Sequence, residues 1–246
     1  VTPSRRRTPG SIPGSPTILL LQSTQPRTML AASWGNTGTM RIFNLSLPKS
    51  GTTSFGAMMR DAGHAVCDGN WRDHKTNFLM LAAHMGNYDL IDRVAQGYDM
   101  FSDAPFGGTL YYRQAAHTFP DAKFLLIKRA PEAWWASFAG MLDADVGADA
   151  THDTLERKLV AAFNAGRYGY PLLAMDLCAG NATKDGFLHA KAAYEAEVEA
   201  FFDGNDRFRC GSMDAFADGA FNAFLGLEDG VKVPHMNPAK AGAPQG

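Results

Sequence analysis

From Met40 onward the chain alternates short apolar runs with longer stretches whose apolar positions recur at helical spacing, which predicts a parallel sheet covered by helices. Met40 to Leu47 reads as the first strand, His64 to Asp68 as the second and Tyr98 to Ser102 as the third. Lys123 to Lys128 is the fourth and clearest, with an unbroken apolar centre and Pro120 separating it from the helix before. A weak strand follows at Arg207 to Cys210. Helices are predicted over Thr53 to Gly63, closed by its glycine, and over residues 87–96, 108–118, 132–141, 152–166 and 186–203, with a last one through Phe221 to Leu225. The expected fold is α/β in three layers, a central and mostly parallel sheet of about four to five strands between helices.

Outside that pattern the composition changes. Residues 1–38 are rich in Ser, Thr, Pro, Gly and Arg and show no period, so a disordered N-terminal extension is expected there. A single domain is expected over residues 39–237, and a frayed tail of Pro, Ala, Gly and Lys over 238–246. With 46% hydrophobic and 20% charged residues the chain is of the globular class. A net charge of −2 argues against a general nucleic-acid binder. Residues 1–60 contain no Asp or Glu, so the start also fits an organelle-targeting segment, the alternative to a cytoplasmic location. Cys67, Cys178 and Cys210 are odd in number and have no close pair; they suggest neither a disulfide framework nor a zinc knuckle, and a reducing compartment is expected. The apolar run Ile18 to Leu21 is far too short to span a membrane.

The candidate chemistry starts where the first strand ends, at Leu47-Pro48-Lys49-Ser50-Gly51-Thr52-Thr53-Ser54. A strand, a small-residue turn and a helix make a phosphate cradle, because the turn's N–H groups and the helix N-terminus both favour an anion. Lys49 adds a mobile cation, and Thr52 and Thr53 add hydroxyl donors. The nucleotide-hydrolase pattern would need lysine directly after Gly51 and a glycine at Ser46; instead Lys49 precedes Gly51 by two residues. A second feature lies after the fourth strand. That strand delivers Arg129 to its C-terminal end, Pro131 suits the first position of a helix, and Ser137 follows nearly two turns later. A guanidinium fork with a nearby hydroxyl suits a phosphate.

The order Pro48-Lys49-Ser50-Gly51-Thr52-Thr53 resembles the 5'-phosphosulfate loop of sulfotransferases, which use 3'-phosphoadenosine 5'-phosphosulfate as sulfuryl donor. In that family an arginine and a serine eight positions apart hold the 3'-phosphate, and Arg129 and Ser137 match that spacing. Phe119 to Phe124, Tyr194 to Val198, Phe224 to Gly226 and Pro234 to Asn237 extend the resemblance to roughly Met40 through Asn237, closer to bacterial-type and algal members than to the cytosolic small-molecule branch. The resemblance implies a P-loop NTPase-like fold and transfer to a hydroxyl or amine of a small-molecule or glycan acceptor, with no metal. It implies Lys49, Ser50, Gly51, Thr52 and Thr53 around the 5' group, Arg129 and Ser137 around the 3'-phosphate, and Lys49 neutralising the leaving phosphate. Ser54 stands where cytosolic members have tryptophan, Ala130 where an acid is common, and no Arg-Lys-Gly loop follows.

Asp103 is the candidate base, at the end of the third strand, near where the family places a catalytic histidine or an acidic substitute. Its other reading is a cap for the next helix, with Pro105 in the first turn. His84 and His117 are weaker candidates, and no histidine spacing suggests a metal. Trp134, Trp135, Tyr111 and Tyr112 read as core or as acceptor lining. Asn44-Leu45-Ser46 fits a glycosylation pattern but lies in a strand expected to be buried. The segments around 68–90 and 140–185, where an acceptor pocket would be built, hold no chemical signature. Two rival functions are a P-loop kinase or nucleotide hydrolase, and a noncatalytic donor-nucleotide binder.

Overall fold

Successive residues of the central strands enter two different apolar layers, and this period of two builds the molecule. The computed structural model describes residues 40–69, 74–146, 154–178 and 182–234; the expected extension 1–38 and tail 238–246 lie outside the described residues. Five strands, β1 (Ile42–Asn44), β2 (Val66–Asp68), β3 (Met100–Ser102), β4 (Lys123–Lys128) and β5 (Phe208–Ser212), form a sheet in the order β2-β3-β1-β4-β5. All four pairings are parallel. Phe43, Phe101, Phe124 and Leu126 join one core with the helices α2 (His74–His84), α4 (Tyr111–Thr118), α5 (Pro131–Val146) and α8 (Lys184–Phe201). Ile42, Met100, Leu125 and Ile127 join the other, against α1 (Thr52–Asp61), α9 (Met213–Ala217) and α10 (Asn222–Leu225). The result is a three-layer α/β fold with an all-parallel sheet between helices.

One row of residues crosses the sheet at a single height. Phe43 is in register with Phe101 on one side and Phe124 on the other, and Phe124 with Phe208. The Phe43 ring lies 4.3 Å from that of Phe101 and 5.5 Å from that of Phe124. Phe202, at the C-terminal cap of α8, then bridges Phe124 and Phe208, at 4.7 and 5.0 Å. Burying a ring of this kind contributes roughly 1.5–3 kcal/mol, so the row is a main reason the strands share this register.

The first, second and third strands are shorter than their apolar runs, because the ladder stops where the chain turns away. β4 matches its expected bounds, and β5 runs two residues past Cys210. Of the helices, α3 (Tyr88–Ala95), α4, α6 (Leu155–Asn164) and α8 fall within three residues of expectation, while α5 continues five residues further. Three described helices have no counterpart in the predicted pattern, α2, α7 (Gly169–Cys178) and the short α9. α2 buries Leu79 and Met80 yet leaves Phe78 and Leu81 exposed, so it shows no one-sided stripe. α7 likewise buries Leu172 and Leu173 and exposes Met175. No described helix is long and apolar enough to cross a membrane.

Candidate active site

At β1 the strand order divides, with β3 on one side and β4 on the other, so the C-terminal tips of these three strands surround a crevice. A buried polar lattice ties the tips together. The Asn44 amide donates to Ser102 Oγ at 3.2 Å, and Asn44 Oδ1 accepts from the Ser46 N–H at 3.1 Å and from the Ser46 hydroxyl. Ser46 Oγ in turn accepts from the Ile127 N–H at 2.7 Å, and the Ser102 hydroxyl donates to the Thr52 carbonyl at 3.3 Å. Asn44, Ser46 and Ser102 are fully buried, so each needs these partners, and Asn44 is closed to glycosylation as expected of a buried strand.

The loop after β1 turns tightly, with the Ser50 N–H donating to the Leu47 carbonyl at 3.0 Å. Lys49 adopts left-handed backbone at φ +71°, and Gly51 follows at φ +83°. The turn favours glycine there for its conformation, and a Cβ would also come within 2.8 Å of the flexible Met213 side chain on α9 and push it aside. The β4–α5 segment then grips the loop from the side. Trp134 Nε1 donates to the Pro48 carbonyl at 2.7 Å, and Arg129 Nη1 to the Lys49 carbonyl at 2.8 Å. Thr52 opens α1, and no acid stands in that helix's first turn to cancel its positive end. Ser50 Oγ is one of two buried side-chain polar atoms without a partner among the described residues, which suits a loop that receives hydrogen-bonding oxygens. Burial lowers the Lys49 ammonium's pKa, with Arg129 adding to the effect and Asp103 and Asp145 opposing it.

Asp103 faces this loop from the tip of β3. Its backbone is also left-handed, at φ +67°, and it is only 8% exposed. Oδ2 accepts from the Thr52 hydroxyl at 3.0 Å, and Oδ1 from the Ala104 N–H at 2.8 Å. Burial pushes its carboxyl up to about 6, against the pull of these two hydrogen bonds and of Lys49. The helix-cap reading is corrected: the next helix, α4, begins only at Tyr111, and the carboxylate is taken by Thr52 of α1 instead. The segment that carries Asp103 presses against the first strand's exit, where a Cβ on Gly107 would lie 2.0 Å from the Ser46 carbonyl oxygen.

Lys49, Thr52, Asp103 and Arg129 are therefore joined by direct contacts or electrostatic influence. Ser137 sits half-buried on α5, one turn beyond Trp134, and Thr53 is exposed on α1. His84 lies elsewhere, its Nδ1 2.6 Å from Asp176 Oδ1 in a cleft of about 290 Å³ that Tyr88, Thr109 and Tyr194 also line. His117 is exposed near the end of α4. Trp134, Tyr111 and Tyr112 are core residues with no exposed surface, and Trp135 is half-buried against Phe138 and Phe187. Sequence reasoning missed the grip of Trp134 on Pro48 and the Asn44, Ser46 and Ser102 lattice. The only signal for either was a polar atom placed where burial would demand a partner.

A parallel α/β sheet with a lysine-bearing strand–turn–helix at its switch point is an arrangement whose free N–H groups and positive charge suit an anionic group. Residues 41–239 match the sulfotransferase domain family, and the chain belongs to that family. No curated protein matches it. Among solved structures it is similar to a sulfotransferase from Alicyclobacillus acidocaldarius, at 18% identity and a TM-score of 0.46, covering 82% of this chain and 87% of that one. It is also similar to shikimate kinase from Bacteroides thetaiotaomicron, at 13% identity and a TM-score of 0.34, covering 65% of this chain and 99% of that one.

Proposed function

We propose that this sulfotransferase takes its sulfuryl group from 3'-phosphoadenosine 5'-phosphosulfate and delivers it to a hydroxyl or amine of a small molecule or glycan. The observation that carries this reading is the 2.8 Å hydrogen bond from Arg129 to the Lys49 carbonyl, which joins the two candidate phosphate sites into one surface. The loop from Lys49 to Thr53 and the N-terminus of α1 receive the 5' group, while Arg129, with donors to spare beyond the one on Lys49, and Ser137 receive the 3'-phosphate.

In the transfer itself the acceptor oxygen or nitrogen forms a bond to sulfur as the bond from sulfur to the bridging phosphate oxygen breaks. The acceptor's proton passes to the Asp103 carboxylate, and the nucleotide leaves as adenosine 3',5'-bisphosphate. Lys49 balances the negative charge that grows on the departing phosphate. Little bond-making chemistry is left to the protein beyond alignment and charge, as in phosphoryl transfer. Thermal unfolding tests the reading: adenosine 3',5'-bisphosphate at about 100 times its Kd stabilises the protein by about 2.7 kcal/mol, and ATP with magnesium at the same concentration does less. An equal or larger effect from ATP with magnesium would return the kinase reading to the front.

A further inference from the structure

Thr52 is asked to do two things with one proton. Its hydroxyl donates to Asp103 Oδ2, 51 residues away in sequence, yet it is also the first residue of α1, where the donor's 5' group is to be read. A hydroxyl has a single hydrogen and cannot donate to a carboxylate and a phosphate at once. Thr52 is 2% exposed and Asp103 8%, so little water is at hand to replace the bond when it is given up.

We propose that Thr52 is a positioning residue for Asp103, holding the carboxylate in the free protein and releasing it when the donor binds, so that donor binding itself prepares the base. This rests on the donor reading above. The groups that face Asp103 are few. Lys49 approaches from the loop after β1, and Asp68 from β2, where it is paired with Arg60 of α1; the Ala104 N–H is bound to Oδ1. When the donor arrives, Thr52 turns its proton to the phosphate, Lys49 shares its charge with the new anion, and fresh negative charge stands near Asp103. All three changes favour the protonated carboxyl. A base near 6 in the free protein is thereby moved toward neutral pH, where a general base works best. The expected order is donor first, because the acceptor meets the stronger base only in the donor complex.

Calorimetric titration with adenosine 3',5'-bisphosphate at pH 7, in two buffers of different ionisation enthalpy, counts the protons taken up on binding. The ligand's own phosphate titrates near pH 6, so Asp103→Asn is the reference. Wild type is expected to take up about 0.4 proton more than Asp103→Asn, the gain at pH 7 of a carboxyl that moves from about 6 to about 7. Thr52→Ser keeps that excess, whereas in Thr52→Val, which has lost the bond before binding, it falls by about half. The contrast between the Ser and Val variants stands even where Asp103→Asn fails to fold. Equal uptake by wild type and Asp103→Asn, or the same excess in Thr52→Val as in Thr52→Ser, overturns the proposal and leaves the donor reading intact. Failure of the nucleotide to bind wild type overturns the donor reading, and the proposal with it.

Discussion

The loops after β1 and β3 each present a charged residue in left-handed backbone, Lys49 at φ +71° and Asp103 at φ +67°, yet the two are secured in opposite ways. Lys49 is held through its main chain, its own carbonyl taken by Arg129 and that of Pro48 by Trp134. Asp103 is held through its side chain, with Thr52 and the Ala104 N–H on its two oxygens. A left-handed lysine costs about 1–2 kcal/mol that an aspartate partly recovers by local hydrogen bonding, and the two carbonyl clamps offset it. The difference suits the proposed roles. A cation that must follow charge onto a leaving oxygen keeps a mobile side chain on a fixed base, whereas a proton acceptor is held by its own oxygens in the free protein and gives up one of those bonds when the donor arrives.

The largest expected effect falls on the lysine side. Lys49→Ala should cut formation of the bisphosphate product by about 10²–10³-fold while the far-ultraviolet circular dichroism stays that of wild type. A rate within about threefold of wild type would detach the clamped loop from catalysis.

The aspartate side breaks differently, through pH. Asp103 has a folded pKa of about 6 against an ordinary value of 3.8, so the folded state holds its proton more tightly. Stability from this group is therefore full below about pH 4 and is lost as pH rises through about 6. Asp103→Asn does not pay that penalty. Its Tm should draw ahead of wild type between pH 4 and 6 and stay ahead at neutral pH, by the equivalent of up to about 3 kcal/mol. A difference in Tm that does not vary with pH would show that the carboxyl is not raised.

The smallest effect separates the two clamps. Trp134→Phe keeps a ring against Phe138, which lies 5.3 Å from the indole, but leaves the Pro48 carbonyl without its donor. The expected outcome is a loss of about 1–3 kcal/mol in stability and about a tenfold lower kcat, with the pH dependence that belongs to Asp103 unmoved. If kcat holds while stability falls, Trp134 is core alone.

How far each side could be read in advance follows from the range of its interactions. The Lys49 turn, the helix after it and Arg129 at the end of β4 are legible because they rest on neighbouring residues: glycine in a turn, small residues at a helix start, proline at a first helical position. Thr52 and Asp103 are 51 residues apart, Asn44 and Ser102 58, and Trp134 and Pro48 86, so no local window contains both halves of any of these bonds. Asp103-Ala104-Pro105 even carries a false local signal, since the same residues suit a helix start. The tertiary partner decided the matter. α2 and α7 were hidden for another reason, because apolar residues on several faces erase the stripe that marks a surface helix.

The row of phenylalanines across the sheet works as a ruler for the chemistry above it. Phe43, Phe101 and Phe124 stand level on β1, β3 and β4, and from those same strands the lysine, the aspartate and the arginine are counted upward. A slip of one residue in any strand would turn its phenylalanine to the other face and displace its charged group by about 3.3 Å, far beyond what in-line transfer tolerates. On the proposed reading the interior of this protein thus measures out the reaction geometry, at a distance from any atom that would react.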